Sequence, residues 1–277
     1  MALYKFVTQP DVARFVVGGV VKFSPIAELN DPSELSPTLI PDEVAASLRR
    51  LRQDGYSSED IALLRQQGAL LRRLAPMFQA VPVPDSPETA NALIRSSFYD
   101  DMALLEQLLT KTARVMSESV GLFCLSRRLD SLPMWAHYAS NAAGFAVEFR
   151  DLEMIFSGDD TGVLRRPIEV RYDRELTGVS FEPRSHESLF FNKFSDWSYE
   201  QEVRVVIPLD ECTQKERNGS RLYLLKIPQE CIARVIVGWN MPEVEIARIS
   251  DDIRQVNPTV QFARAVFAHG RVEVSRA

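Results

Sequence analysis

The chain has 277 residues, 45% apolar and 25% charged, with a formal net charge of -6. This is the balance of a globular protein with a real core, and it excludes a disordered or fibrous chain. The negative charge argues against a generic nucleic-acid glove, whose phosphate contacts need clustered Lys and Arg, and leaves room only for a local basic patch. Cys124, Cys212 and Cys231 are too few and scattered for a disulfide framework or a CxxC knuckle, so they read as reduced thiols of a cytoplasmic protein. No apolar h-region follows Met1 and no stretch of about 18 apolar residues occurs, so neither export signal nor membrane span is expected. The length suits one domain over 1–277, with a helical insertion at 42–120.

Leu3-Tyr4-Lys5-Phe6-Val7 reads as a strand, Pro10 opens a helix carrying Val12, Phe15 and Val16, and Gly18-Gly19 closes it before a second strand, Val20 to Ser24. Residues 25–41 hold four prolines and the turn signal Asn30-Asp31-Pro32, and form a loop placed to lie over a site. A helix starts at Asp42-Glu43 and repeats apolar residues through Leu48, Leu51, Ile61, Leu64, Leu71 and Leu74 until Pro82-Val83-Pro84 breaks it. Its arginines, Arg49, Arg50, Arg52, Arg65, Arg72 and Arg73, form either a basic stripe or, with acids interleaved, a solvated face. A second helix is expected from about Pro87 to Met116.

Strands follow at Leu122–Ser126, Gly144–Phe149, Ile168–Tyr172, Val203–Ile207, Leu222–Ile227 and Ala233–Val237. A helix over Pro242–Val256 and edge strands at Val260–Ala265 and Val272–Val274 close the chain. The fold class is α+β, with a mostly antiparallel central sheet and helices segregated early.

Three clusters carry polar chemistry. In Asn192 to Arg204, an extended chain puts Glu200, Glu202 and Arg204 on one face and Gln201, Val203 and Val205 on the other. Two acids about 7 Å apart repel, raising the pKa of one unless Arg204 or another cation compensates. The alternative is a solvated strand face with a local ion pair. The second cluster, Leu132 to Ala139, surrounds His137, one of three histidines, with Trp135 and Tyr138. These rings either stack on a flat ligand or pack a core. The third gathers Tyr4, Lys5, Ser24, Asn30 and Asp31 near the start, where a plain turn is the competing interpretation. No HExxH, metal-ligand spacing, Walker motif or GxSxG occurs, so no metal is expected.

Leu3-Tyr4-Lys5-Phe6, Phe23-Ser24-Pro25, Asn30-Asp31-Pro32, Leu125-Ser126, Met134-Trp135-Ala136-His137-Tyr138, Gly144-Phe145, Lys193, Trp197, Tyr199-Glu200 and Glu202-Val203-Arg204 together resemble the bacterial domain of unknown function 2971, over residues 3 to about 240. More distantly, the order of strand, helix, Gly-Gly, a strand ending Phe-Ser and a late Glu-x-Glu is similar to the ADP-ribosyltransferase superfamily, including its DNA-modifying toxin branch. That resemblance implies NAD as substrate. Tyr4 or Lys5 would hold the ribose, Ser24 (or Ser126 or Tyr138) would support the nicotinamide side, and Glu202 would stabilise the cationic ribose. Glu200 would orient the acceptor or take its proton, and Arg204 would keep both acids ionised or meet the pyrophosphate. Trp135, Tyr138 or Trp197 would stack on a ring, with Asn30 and His137 as further binding candidates. It also implies a toxin, effector or phage-defence protein, an acceptor that is a protein or nucleic acid, and a cognate immunity or antitoxin partner. Two other functions compete: a noncatalytic nucleotide sensor or adaptor docking a partner through the insertion, and a glycosidic hydrolase using Glu200 and Glu202.

Overall fold

The computed structural model describes residues 2–31, 39–74, 83–158, 165–175 and 188–276. Strand β1 (Leu3–Val7), helix α1 (Ala13–Val17) and strand β2 (Val20–Pro25) open the chain in the expected β-α-β order. Of the loop read at 25–41, Ile26–Glu28 is a single 3-10 turn, while residues 32–38, including Pro32, lie outside the described residues.

Between β2 and β3 the chain makes helices α2 (Pro41–Asp54), α3 (Ser58–Leu74), α4 (Pro87–Ile94) and α5 (Met102–Ser119). Neither long helix expected there is continuous. Gly55, at φ +79°, takes a left-handed conformation that ends α2. Ser57 then accepts from Asp60 N at 3.1 Å while the Asp60 carboxylate accepts from Ser57 N at 2.9 Å, a reciprocal cap that starts α3 anew. The second run breaks after Ile94, and Asp101 caps α5 by accepting from Leu104 N. The apolar period crosses these breaks because Leu48, Leu51, Ile94 and Leu105 share one small core. Arg52, from the arginine stripe, bonds Ile94 O and Asp100, tying α2 to the turn after α4. Of the break read at Pro82-Val83-Pro84, Pro82 lies outside the described residues.

The second half supplies β3 (Val120–Ser126), α6 (Leu132–Tyr138), β4 (Phe145–Phe149), α7 (Leu152–Ile155), β5 (Ile168–Glu169), β6 (Arg171–Asp173), α8 (Ser188–Phe191), β7 (Asn192–Phe194) and β8 (Glu202–Pro208). These are followed by β9 (Thr213–Arg217), β10 (Ser220–Lys226), β11 (Ile232–Val237), α9 (Glu243–Val256), β12 (Gln261–Ala268) and β13 (Arg271–Arg276). The strand expected at Ile168–Tyr172 divides, β5 pairing with β8 and β6 with β7. Among the described residues the main sheet is antiparallel except for β11 beside β12, as an α+β fold requires. No helix among them is long and apolar enough to cross a membrane.

Strand alternation divides this sheet into two faces. Leu3, Phe123, Leu125, Val147, Val203, Val205 and Val235 pack with Ala13 and Val17 of α1 and Ile249 and Ile253 of α9. On the opposite face Phe6, Ala146 and Ile236 meet Met134 and Trp135 of α6, and Leu122 and Val206 meet Ala113 and Met116 of α5. Each fully buried aliphatic or aromatic side chain there contributes about 1.5–3 kcal/mol.

Strand β3 positions the site. Its whole length pairs with β8, from Val120↔Pro208 to Ser126↔Glu202. Its other edge is shared: Ser126 pairs with Tyr4 of β1, whereas Leu122 and Gly121 pair with Ser24 and Pro25 of β2. The two strands diverge there, and Cys124 faces the gap of a fork.

Candidate functional site

A cleft of about 260 Å³ opens at this fork. Register explains its polarity. Tyr4, Ser126 and Glu202 stand side by side across three neighbouring strands, on the face between the α5 and α6 apolar clusters. Ser24 and Lys5 reach the cleft from the diverging strands, Asn30 from the loop after β2, and Tyr138 from the end of α6.

Its charged floor is buried: Lys193, Glu200, Glu202 and Arg204 are 3%, 3%, 5% and 0% exposed. This overturns the solvated-face alternative. Lys193 Nζ donates to Glu200 Oε2 at 2.8 Å and to Glu202 Oε2 at 3.4 Å. Arg204 grips Glu202 with Nε to Oε1 and Nη2 to Oε2, both 2.9 Å, and Nη1 donates to Phe190 O at 2.7 Å. Such a fork-on-carboxylate pair is short, strong and orientation-specific. Glu202 and Arg204 share a strand face as alternation requires. Glu200 does not belong to that strand: it ends the 3-10 turn Ser195–Glu200, and Gln201, left-handed at φ 40°, turns the chain into β8. A backbone bend, not the pleat, brings the second carboxylate to Lys193.

The two carboxyls are driven apart in proton affinity. Burial alone would push Glu202 up, but Arg204 and Lys193 outweigh it and hold the group well below the usual carboxylate range. Burial pushes Glu200 above that range, and Lys193 offsets only part. For Lys193 burial works against the charge, yet Glu202 and Glu200 keep the ammonium above an ordinary lysine. Two acids with environments this different are suited to two roles, one fixed anion and one proton carrier.

Hydrogen bonds link the floor to the cleft mouth. Tyr138 donates to Glu200 Oε1 at 2.5 Å and accepts from Asn30 Nδ2 at 2.9 Å. Burial first, then Glu200, raises the Tyr138 phenol, so it serves as a donor. Ser126 Oγ donates to Glu200 O at 2.5 Å and fixes the turn rather than projecting freely. Tyr172, whose phenol accepts from Glu202 N at 2.8 Å, braces the start of β8.

The fork thus brings together Tyr4, Lys5, Ser24, Asn30, Ser126, Tyr138, Glu200 and Glu202 of the sequence candidates. Four others stand elsewhere. Trp135 is fully buried under the sheet, its indole N–H donating to Leu129 O at 2.7 Å, so it packs the core and has no free face for a ligand. His137 lies on the outer side of α6, 3.1 Å from the Tyr199 hydroxyl. Trp197 covers the Lys193 ammonium, 4.8 Å from its ring centroid. Arg204 sits beneath Glu202 with no exposed surface, too deep to meet a pyrophosphate. Sequence reasoning misses Lys193 as the cation between the acids, and Cys124 and Tyr172 at the floor. The signal for Lys193 is its place in an aromatic run, Phe190-Phe191-Asn192-Lys193-Phe194, where a buried amine needs a carboxylate.

Residues 134–205 match the family described as Protein of unknown function (DUF2971). The match supports the first resemblance but covers less than the span of 3 to about 240. The matched segment runs from α6 into β8 and carries Tyr138, Lys193, Glu200, Glu202 and Arg204, the whole charged floor, while β1 and β2 of the fork lie outside it. No curated protein and no solved structure matches the chain, so the ADP-ribosyltransferase resemblance gains no support from them.

Proposed function

We propose that this cleft takes the nicotinamide-ribose end of NAD and that the protein is an ADP-ribosyltransferase-like enzyme modifying a protein or nucleic acid, as a cytoplasmic toxin, effector or phage-defence protein. One observation carries the reading: segments far apart in the chain deliver Tyr4, Ser24, Tyr138, Glu200 and Glu202 to a single hollow whose two carboxyls differ in proton affinity. At about 260 Å³ the hollow falls just short of the ~300–1,000 Å³ of small-molecule sites, which suits one end of a dinucleotide.

In the reaction the C1′–N bond to nicotinamide breaks and its electron pair leaves with the ring. An acceptor oxygen or nitrogen bonds C1′, and its proton passes to a base. Glu200, with its raised proton affinity and its contact to Tyr138, is that base. Glu202, held ionised, supplies negative potential to the cationic ribose from a water-poor floor. Incubating the purified chain with NAD should release nicotinamide, and Glu200→Gln and Glu202→Gln should each lower the rate by at least about 10²-fold. Absence of release with every acceptor tried, or full activity in both variants, overturns it.

A second reading, a noncatalytic nucleotide sensor or adaptor, is favoured by the occupancy of Glu202: both its oxygens already accept from Arg204, and one also from Lys193. It requires nucleotide binding without turnover, with binding kept in Glu202→Gln.

A further inference from the structure

Most cations around the fork are answered by carboxylates. Lys193 holds Glu200 and Glu202, and Arg204 holds Glu202. Lys22 on β2 reaches Glu28 at 3.3 Å, and Arg234 on β11 reaches Glu148. Lys5 is the exception. Its Nζ donates to Cys124 O at 3.0 Å and stands 5.8 Å from the Phe123 ring centroid, and among the described residues no carboxylate comes within ion-pair distance.

Topology creates this arrangement. Cys124 lies between Ser126, which pairs with β1, and Leu122, which pairs with β2, so its carbonyl opens onto the gap and Lys5 meets it there. An ammonium has three donors and Cys124 O takes one. A half-buried ammonium on a cleft wall, lacking a counter-charge, makes that wall electropositive and gains most from a ligand oxyanion, through a charge-assisted hydrogen bond.

We propose that the sheet fork is an anion subsite, in which the phosphate of a phosphorylated nucleoside rests on Lys5 Nζ while the sugar faces Glu200 and Tyr138. This deepens the function proposed above and rests on the same cleft being the ligand site. The cleft volume suits a single nucleoside phosphate, with the remainder of a dinucleotide outside it.

Nicotinamide mononucleotide and nicotinamide riboside differ by one phosphate, so their affinity ratio isolates the contact. By calorimetry on the full chain, the mononucleotide should bind the wild type at least tenfold more tightly, about 1.4 kcal/mol. Lys5→Met and Lys5→Gln, each checked for an unchanged near-ultraviolet spectrum, should reduce that ratio to about twofold or less, whereas Lys5→Arg should keep most of it. Inorganic phosphate should compete with the mononucleotide in the wild type and not in Lys5→Met. An undiminished ratio in both Lys5→Met and Lys5→Gln overturns the subsite, as does a wild type that binds neither the mononucleotide nor phosphate. If phosphate binds through Lys5 but NAD yields no nicotinamide, the transferase fails and the anion subsite stands.

Discussion

Replacing Lys193 with Met removes the cation that Glu200 and Glu202 share while keeping a side chain of similar length. Glu202 retains Arg204, but Glu200 is left with the Tyr138 hydroxyl as its carboxylate donor among the described residues. Stripping one partner from a buried ion pair costs about 3–5 kcal/mol when the orphaned charge must stay ionised. Glu200 has an escape, because a carboxyl whose folded pKa is already raised will take up a proton. A raised folded pKa contributes stability that is fully present below the unfolded carboxyl value and is lost as pH rises through the folded value. The penalty in Lys193→Met should therefore be smallest at the acid end and grow by up to ~1.4 kcal/mol per pH unit as Glu200 ionises, towards about 3–5 kcal/mol once the carboxylate is charged. Urea unfolding followed by fluorescence of the three tryptophans, at pH 5, 6, 7 and 8, measures this. Adding Glu200→Gln should flatten the slope and restore part of the loss at pH 8. A loss below about 1 kcal/mol at pH 8, or one independent of pH, refutes the account of Glu200 as the proton-holding member of the pair.

Other outcomes follow from single contacts. Tyr138→Phe withdraws the donor to Glu200 Oε1, so the Glu200 carboxyl should titrate at higher pH, read by carbon-13 NMR of labelled glutamate. Gln201→Gly should leave the melting temperature unchanged or higher, whereas Gln201→Val, branched at a left-handed position, should cost about 1–2 kcal/mol in chemical denaturation. Gly144→Ala would put a Cβ 2.1 Å from Val7 O, where β4 begins beside β1, and should lower stability by at least about 2 kcal/mol in the same assay.

Alternation alone makes much of the sheet legible in the sequence. Glu202, Arg204 and Val206 face one way along β8, and Val203, Val205 and Ile207 the other, as period two demands. Helix breaks are harder to see because the apolar period outweighs the caps: Ser57, Asp60 and Asp101 are ordinary surface residues until their backbone partners are known. The fork itself is illegible. Register between Tyr4, Ser126 and Glu202 depends on partners far away in sequence, and no local pattern records it. Trp135 and Tyr138, three residues apart on one short helix, look equivalent in the sequence. Both lean on one apolar cluster, as i,i+3 neighbours do, but Trp135 is wholly enclosed there while Tyr138, at the helix end, extends its hydroxyl into the cleft between Asn30 and Glu200. Strand alternation puts Glu200 near Glu202 for a reason that does not hold, since the bend at Gln201 replaces the assumed pleat.

Lys5 and the Cys124 carbonyl it caps are 119 positions apart, so the hollow at the divided edge of β3 exists only after long loops have closed and the strands on either side have docked. Such nonlocal pairing is slow to form. Any small molecule that settles there acts as a clasp on the entire sheet, since the unfolded chain offers it no binding place. At a hundred times its dissociation constant, a ligand adds about 2.7 kcal/mol to the folded state, a gain that a thermal-shift screen of nucleotides and sugar phosphates registers without knowing the reaction.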